Sequence, residues 1–566
     1  MASSKRENVT STRRRRRAVM LLVIVGAAGS LAAIFNMTFE DFYMSGTQMG
    51  DVGPEVIQTS DACANCHGLF EWRRSTALSG GPYSAWSGTL MAHAGRDPLF
   101  FAQMTNANQD VANVGVFCQR CHVPMAWVSG HAEDPSGQSI DSYDRDGVTC
   151  HLCHSMVDPI YKKGISPLED LAILQALDDV PEYYGNAMFV IDPTGTRRGP
   201  RDDADQMHEV LYSPFHHSGD FCGTCHDVGN VAVSRQKDGT YRYNNIDERT
   251  PDEDPWMQFP LERTYTEWQL SDFANGGVDM GGRFGGYGVS VIEACQDCHM
   301  PRVPDQACYF GPPRKDVARH EFAGSAAWVL EIISRHYEGD PSVDPVALQR
   351  GRDTAISMLE RAATLKVSQE SNDVLVRVIN ETGHKLPTGH IEGRRVFLNV
   401  KFFDSAGALI REHGRYDRRR ATLDEESTRI YEMHVGLSDD AARQTGLPPG
   451  VTTHMVLADT IEKDNRIPPR GFTNAAFEKG GAPVVGATYA DGQYWDDVAF
   501  PIPDGAVRAD VTLYYQIVTR HYIETLRDGN TTDDWGNILF QLWRETGKAP
   551  PIRMASEKFN IVPLMP

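Results

Sequence analysis

The chain has 566 residues, 41% of them hydrophobic and 23% charged, which describes a globular protein of two or three domains and excludes disordered, collagen-like and multi-span membrane readings. With 55 basic against 76 acidic side chains the net charge is −21, which disfavours nucleic acid or anionic membrane as a partner of the folded body and favours a basic docking partner. In chain order, residues 1–17 form a basic region ending in Arg13 to Arg17, and residues 18–37 are apolar without one charged side chain. This predicts a transmembrane anchor or an export signal with the arginines left in the cytoplasm. The stretch matches the roughly 20 residues that a spanning helix needs, while Ser30-Leu31-Ala32 offers a cleavage site. The retained anchor is preferred and puts the body on the periplasmic side of the inner membrane; cleavage would leave it soluble, periplasmic or extracellular.

Residues 38–340 hold the chemistry. Ten of the 11 cysteines form five pairs, and a histidine follows every pair: Cys63-Ala-Asn-Cys66-His67, Cys118-Gln-Arg-Cys121-His122, Cys150-His-Leu-Cys153-His154, Cys222-Gly-Thr-Cys225-His226 and Cys295-Gln-Asp-Cys298-His299. Zinc knuckles, redox dithiols and disulfides also use Cys-x-x-Cys, but none demands histidine at the next position each time. Covalent c-type haem does, because two thiols meet the two vinyl groups of one porphyrin while the next imidazole turns under the ring to the iron. Five covalently attached haems follow, with His67, His122, His154, His226 and His299 as proximal ligands. Cys308 is left over and reads as a small buried hydrophobe.

Five irons need five further ligands, and a sixth ligand supplied by the protein separates a carrier from a catalyst. His208 and His216 precede the fourth attachment site in His-Glu-Val-Leu-Tyr-Ser-Pro-Phe-His-His, His320 follows the fifth, and Met91 competes with His93 in Met91-Ala-His-Ala-Gly-Arg-Asp-Pro98. His131 and His151 read as loop residues. The segment lacks a sustained helical or strand period, so haem replaces a protein core and short helices carry the attachment sites, with Thr264 to Ala274 a further helix.

Asp344 as N-cap and Pro345 at the first helical position open a linker helix within 341–365, with Leu348, Ala355, Leu359 and Ala362 on one face. Val374 to Ile379, Val396 to Phe403 and Val511 to Val518 are strand-like, which predicts an all-β, immunoglobulin-like sandwich over 366–530. Residues 531–566 give a helix through Trp535, Leu539, Leu542 and Trp543, then a tail. In the sandwich, Thr382-Gly-His384-Lys-Leu-Pro-Thr-Gly-His390 is either a surface loop or a reach of His384 across to a haem.

These pieces, with Tyr265-Thr-Glu-Trp-Gln-Leu-Ser271, Cys295-Gln-Asp-Cys-His-Met-Pro301 and Arg319-His-Glu-Phe-Ala-Gly324, resemble a multihaem c-type cytochrome of the group that includes pentahaem nitrite reductases and octahaem hydroxylamine-oxidising enzymes. The resemblance implies a mainly α, haem-packed domain in an exported compartment, passing electrons from haem to haem. One departure is that no Cys-x-x-Cys-Lys site, which carries the catalytic haem of the related nitrite reductases, exists here. The expected function is therefore electron transfer between a membrane donor and a periplasmic or outer-membrane acceptor. The alternatives are an oxidoreductase with one open haem acting on a small nitrogen or sulfur compound, and a subunit of a larger complex, homo-oligomer or filament.

Overall fold

Each cysteine motif needs only a turn or two of helix to set two thiols and an imidazole on one side. In the computed structural model, which describes residues 33–68, 81–204 and 207–562, the motifs lie on Asp61–His67, Val114–His122, Cys150–Ser155, Gly219–Gly223 and Cys295–His299, the fourth running on past its helix to His226. Helices this short do not stand alone in water, so caps and tertiary contacts hold them. The Thr149 side chain accepts from the Leu152 amide and that of Ser218 from the Asp220 amide. At the last motif the Asp297 carboxylate accepts from the Glu293 and Ala294 amides. Longer helices, Pro98–Asp110 and Ala327–His336, frame the motifs.

The expectation of a mainly α fold is corrected: the chain is 29% helix and 23% strand. Strands run among the cysteine motifs themselves. Val228–Arg235 pairs antiparallel with both Tyr241–Tyr243 and Gln258–Glu262, and Arg302–Asp305 pairs with Arg314–Ala318. Val228–Arg235 is buried along nearly its whole length, so its sequence shows no alternation of apolar and polar residues to mark it as a strand.

The expected membrane-spanning helix is corrected as well. No helix among the described residues is long and apolar enough to cross a membrane, so the anchored placement on the periplasmic side does not stand. Residues 1–32, with the basic region and most of the apolar stretch, lie outside the described residues. Its last residues are not helical: Phe35 bridges Val111 in parallel, its amide donating to the Asp110 carbonyl, and Met37 is buried.

Asp344 caps the helix Pro345–Arg361 by accepting from the Val346 amide, and the chain then turns into strands. One sheet orders Ala363–Glu370, Asp373–Asn380 and Trp495–Pro501; the other orders Leu409–His413, Arg395–Phe403, Arg508–Gln516 and Ile552–Asn560, with Ile430–Tyr431 beside Arg395–Phe403. Alternate residues Val374, Val376 and Val378 from the first sheet and Val396, Leu398, Val400, Val511 and Leu513 from the second are fully buried in one shared core. The C-terminal stretch is more than a tail: Ile552–Asn560 pairs with Arg508–Gln516 after the helices Arg520–Gly529 and Trp535–Glu545. Residues from Ala33 onward form one compact unit, so haem-motif and strand regions share their packing.

Candidate cofactor site

All ten paired cysteines and all five following histidines border one continuous cavity of about 1080 Å³. The cysteines are free thiols, half-buried. Neighbouring motifs approach one another through them, Cys63 to Cys150, Cys121 to Cys225, and Cys222 to Cys295. The first motif therefore adjoins the third, and the fourth adjoins both the second and the fifth.

Four of the five histidines have Nδ1 engaged. His67 Nδ1 donates to the Ala307 carbonyl at 2.8 Å, His154 to that of Arg198 at 2.6 Å and His299 to that of Ala323 at 2.6 Å; His226 Nδ1 lies 3.2 Å from Glu262 Oε1. This fixes the ring orientation and leaves Nε2 as the atom with a lone pair for a metal. His122 is held differently, its ring stacked on Phe100 with centroids 4.2 Å apart and planes at 11°.

Further histidines converge on these rings. The His67 and His208 centroids are 6.4 Å apart and those of His154 and His320 are 6.3 Å apart. His320 Nδ1 donates to the Ala318 carbonyl and His384 Nδ1 to that of Lys385, which again frees Nε2. His384 sits close enough to His299, and His390 to His122, to act on each other electrostatically, and His390 Nε2 is buried without a partner. His390 was outside the expected ligand set; its signal was the same Gly-His-Lys-Leu-Pro-Thr-Gly-His loop that carries His384. His216 borders the cavity with centroids 5.7 Å from His154, but its Nε2 is 3.0 Å from the Cys153 carbonyl and its Nδ1 is buried unpaired.

Met91 borders the cavity. His93 does not serve it: the ring is buried and its Nε2 donates to the Ser87 carbonyl at 3.0 Å, a packing role that replaces the expected choice between the two. His151 has both nitrogens engaged, with the Gln58 amide and the Gly195 carbonyl. Cys308 is half-buried and borders the cavity beside the first motif, where the Tyr309 amide donates to the Cys66 carbonyl.

Burial pushes His122, His299 and His384 down to about 4 and His216, His320 and His390 down to about 3, so these rings are neutral and carry the lone pair that metal binding requires. His226 departs from the set. Burial lowers it, but the hydrogen bond and charge of Glu262 prevail and take it up to about 9.

The loop carrying His384 and His390 is gripped from the other half of the unit. Helix Thr264–Gln269 supplies Glu267, whose Oε2 accepts from the Lys385 amide at 3.0 Å and from Thr388 Oγ1 at 2.7 Å, and Thr264 Oγ1 accepts from the Gly389 amide. Lys385 Nζ is 2.7 Å from Asp464 Oδ2, and Arg466 bonds both Asp464 and Glu267, at 2.7 and 3.1 Å. All four charged side chains of this cluster are buried. Asn380 Nδ2 closes the loop by donating to the His384 carbonyl.

The donor set fits covalent c-type haem: paired free thiols, histidines pre-oriented by their second nitrogen, facing imidazoles with free or orphaned nitrogens, and Arg197, Arg302, Arg314 and Arg394 on the cavity wall to meet carboxylates. Comparison with protein families and with curated proteins found no match. Among solved structures, a penta-heme cytochrome c552 from Thermochromatium tepidum is similar at 16% identity and a TM-score of 0.45, over 91% of this chain and 100% of that one.

Proposed function

We propose that the chain is a multihaem c-type cytochrome that transfers electrons through five haems, each tethered by one Cys-x-x-Cys-His motif. The observation that carries this is the convergence of all five motifs on a single cavity, with four attachment histidines already oriented through Nδ1. When bound, c-type haem supplies a one-electron iron couple. The chain's own residues do the rest. Ten thiols would hold the haems, the attachment histidines would present Nε2, and His208, His320, His384 and His390 would serve as second ligands for the first, third, fifth and second motifs. Two strong protein ligands keep iron low-spin and limit its rearrangement on electron transfer.

The approach of thiols from neighbouring motifs supports exchange, because haems held by those thiols would be near one another. The contacts run from the first motif to the third and from the fourth to the second and fifth, and charge coupling of Cys153 with Cys225 links the third to the fourth. The fourth motif is then a junction. Electrons pass between redox partner proteins, and a net charge of −21 favours partners with a basic docking face.

The test is to produce the protein with the haem-attachment machinery, count haems from absorbance and mass, and record the ferric spin state by paramagnetic resonance. Five haems, predominantly low-spin, are expected, and replacing His208, His320 or His384 by alanine should each turn about one-fifth of the iron high-spin. Colourless protein, or iron that is high-spin throughout, would overturn the reading.

A further inference from the structure

Twelve histidines border the cavity. Five belong to the attachment motifs, and His208, His320, His384 and His390 serve four of those in the reading above, which leaves His226 of the fourth motif without a second ligand. Three bordering histidines remain. His151 has both nitrogens engaged, and His217 is 40% exposed with Nε2 3.1 Å from Asp297 Oδ1. His216 differs from both. Its ring is 9% exposed, its Nε2 donates to the Cys153 carbonyl at 3.0 Å, and its Nδ1 is buried with no partner. A carbonyl oxygen only accepts, so the proton sits on Nε2 and the lone pair on Nδ1. A buried lone pair left unmet costs free energy, and neutral imidazole offers either ring nitrogen to a metal.

His216 does not compete for the third iron. The carbonyl it bonds belongs to the residue before His154, and the two ring planes lie at 14°, so the ring sits alongside the attachment segment while His320 faces His154 with centroids 6.3 Å apart. Chain and packing tie it instead to the fourth motif. The turn Pro214–His217 runs through Ser218 into the helix Gly219–Gly223 that carries Cys222. The Phe221 ring packs on His216 with centroids 4.8 Å apart, and Gln296 Nε2 pins the turn by donating to the Ser218 carbonyl at 2.8 Å. Resting on the haem reading above, we infer that His216, bound through Nδ1, is the second ligand of the haem on Cys222 and Cys225. All five irons are then six-coordinate, and none is left open to a small nitrogen or sulfur compound. The hydrogen bond that fixes the tautomer also joins the fourth iron's ligand to the backbone of the third motif.

The experiment is the ferric spin state of the five-haem protein, read by paramagnetic resonance and absorbance. The wild type should be low-spin throughout. His216→Ala should turn about one-fifth of the iron high-spin, and added imidazole should return it to low-spin, which a loss of packing alone would not allow. His216→Ala combined with His320→Ala should give about two-fifths, since the two histidines serve different irons. In a protein stripped of the fourth haem by Cys222→Ala and Cys225→Ala, His216→Ala should add no high-spin iron. The inference is overturned by a His216→Ala protein with no new high-spin iron, by a double variant that stays at one-fifth, or by a wild type already one-fifth high-spin. If the alanine variant does not assemble, His216→Met decides. A thioether there keeps the bulk and the sixth ligand, and it should raise the reduction potential of about one-fifth of the haem; a redox titration that overlays the wild type refutes the inference. Failure of the haem reading is distinct, since it leaves no haem absorbance at all.

Discussion

Removing the charge of Lys385 tests how the His384 loop is held. The ammonium is fully buried, 2.7 Å from Asp464 Oδ2 and 2.8 Å from the Pro483 carbonyl. The buried cluster balances two cations, Lys385 and Arg466, against two carboxylates, Asp464 and Glu267. Lys385→Met keeps the volume of the stem but leaves two carboxylates to share one guanidinium, an uncompensated negative charge in a dry site. Breaking a buried pair in this way costs about 3–5 kcal/mol, far more than the stem's packing can return, because the stem is already buried in the wild type. Asp464→Asn added to Lys385→Met restores neutrality, with Arg466 facing Glu267 alone, so the double variant should recover about 2 kcal/mol or more relative to the single one. Equilibrium denaturation followed by circular dichroism measures both, and the high-spin fraction reports whether His384 has left its place. A Lys385→Met loss under about 1 kcal/mol, or a double variant no better than the single one, would refute the charge-balance reasoning.

His454 and Gly351 give two more expectations. His454 Nδ1 lies 2.8 and 2.9 Å from the two Asp110 oxygens, and that hydrogen bond raises its pKa. A raised folded pKa means that the stabilisation is complete below the unfolded value of about 6.5 and is lost as pH rises through the folded value. The denaturation midpoint should therefore decline as pH climbs from about 6.5, by a small amount because the ring is 42% exposed, and Asp110→Asn should flatten that decline. Gly351 lies inside the helix Pro345–Arg361, where alanine would gain about 1 kcal/mol of helix propensity. A Cβ there would stand 1.8 Å from the Gly88 carbonyl oxygen, and one on Gly88 would stand 2.2 Å from that of Ala347. Backbone on both sides leaves no flexible atom to yield, so Gly351→Ala should lose about 1–3 kcal/mol of stability in denaturant titration; equal or greater stability would show that the two backbones can part.

What the sequence disclosed and what it concealed divides by the range of the interaction. Thiol, thiol and imidazole sit within five consecutive residues, so the attachment chemistry is readable without knowing where the chain goes next. The facing histidines are set by tertiary approach. His320 follows the fifth motif in sequence but faces His154 of the third, and His208, shortly before the fourth motif, faces His67 of the first. Met91 and His93 sit two residues apart, and only packing decides that His93 turns to the Ser87 carbonyl while Met91 borders the cavity. The strand Ile552–Asn560 hid for a related reason: as a sheet edge it exposes Ser556, Glu557 and Lys558 and buries only Met554, so it offers little apolar alternation to read. The loop with His384 reads either as a surface loop or as a reach to a haem, because what settles its burial is Glu267, remote in sequence on the helix Thr264–Gln269. One carboxylate accepts from both Lys385 and Thr388, and through Arg466 and Asp464 it ties the strand region to the region of the cysteine motifs. In a chain with a cavity of about 1080 Å³ bordered by all five cysteine motifs, such polar clasps take over the positioning that a continuous apolar core gives elsewhere, and they leave no periodic trace in the sequence.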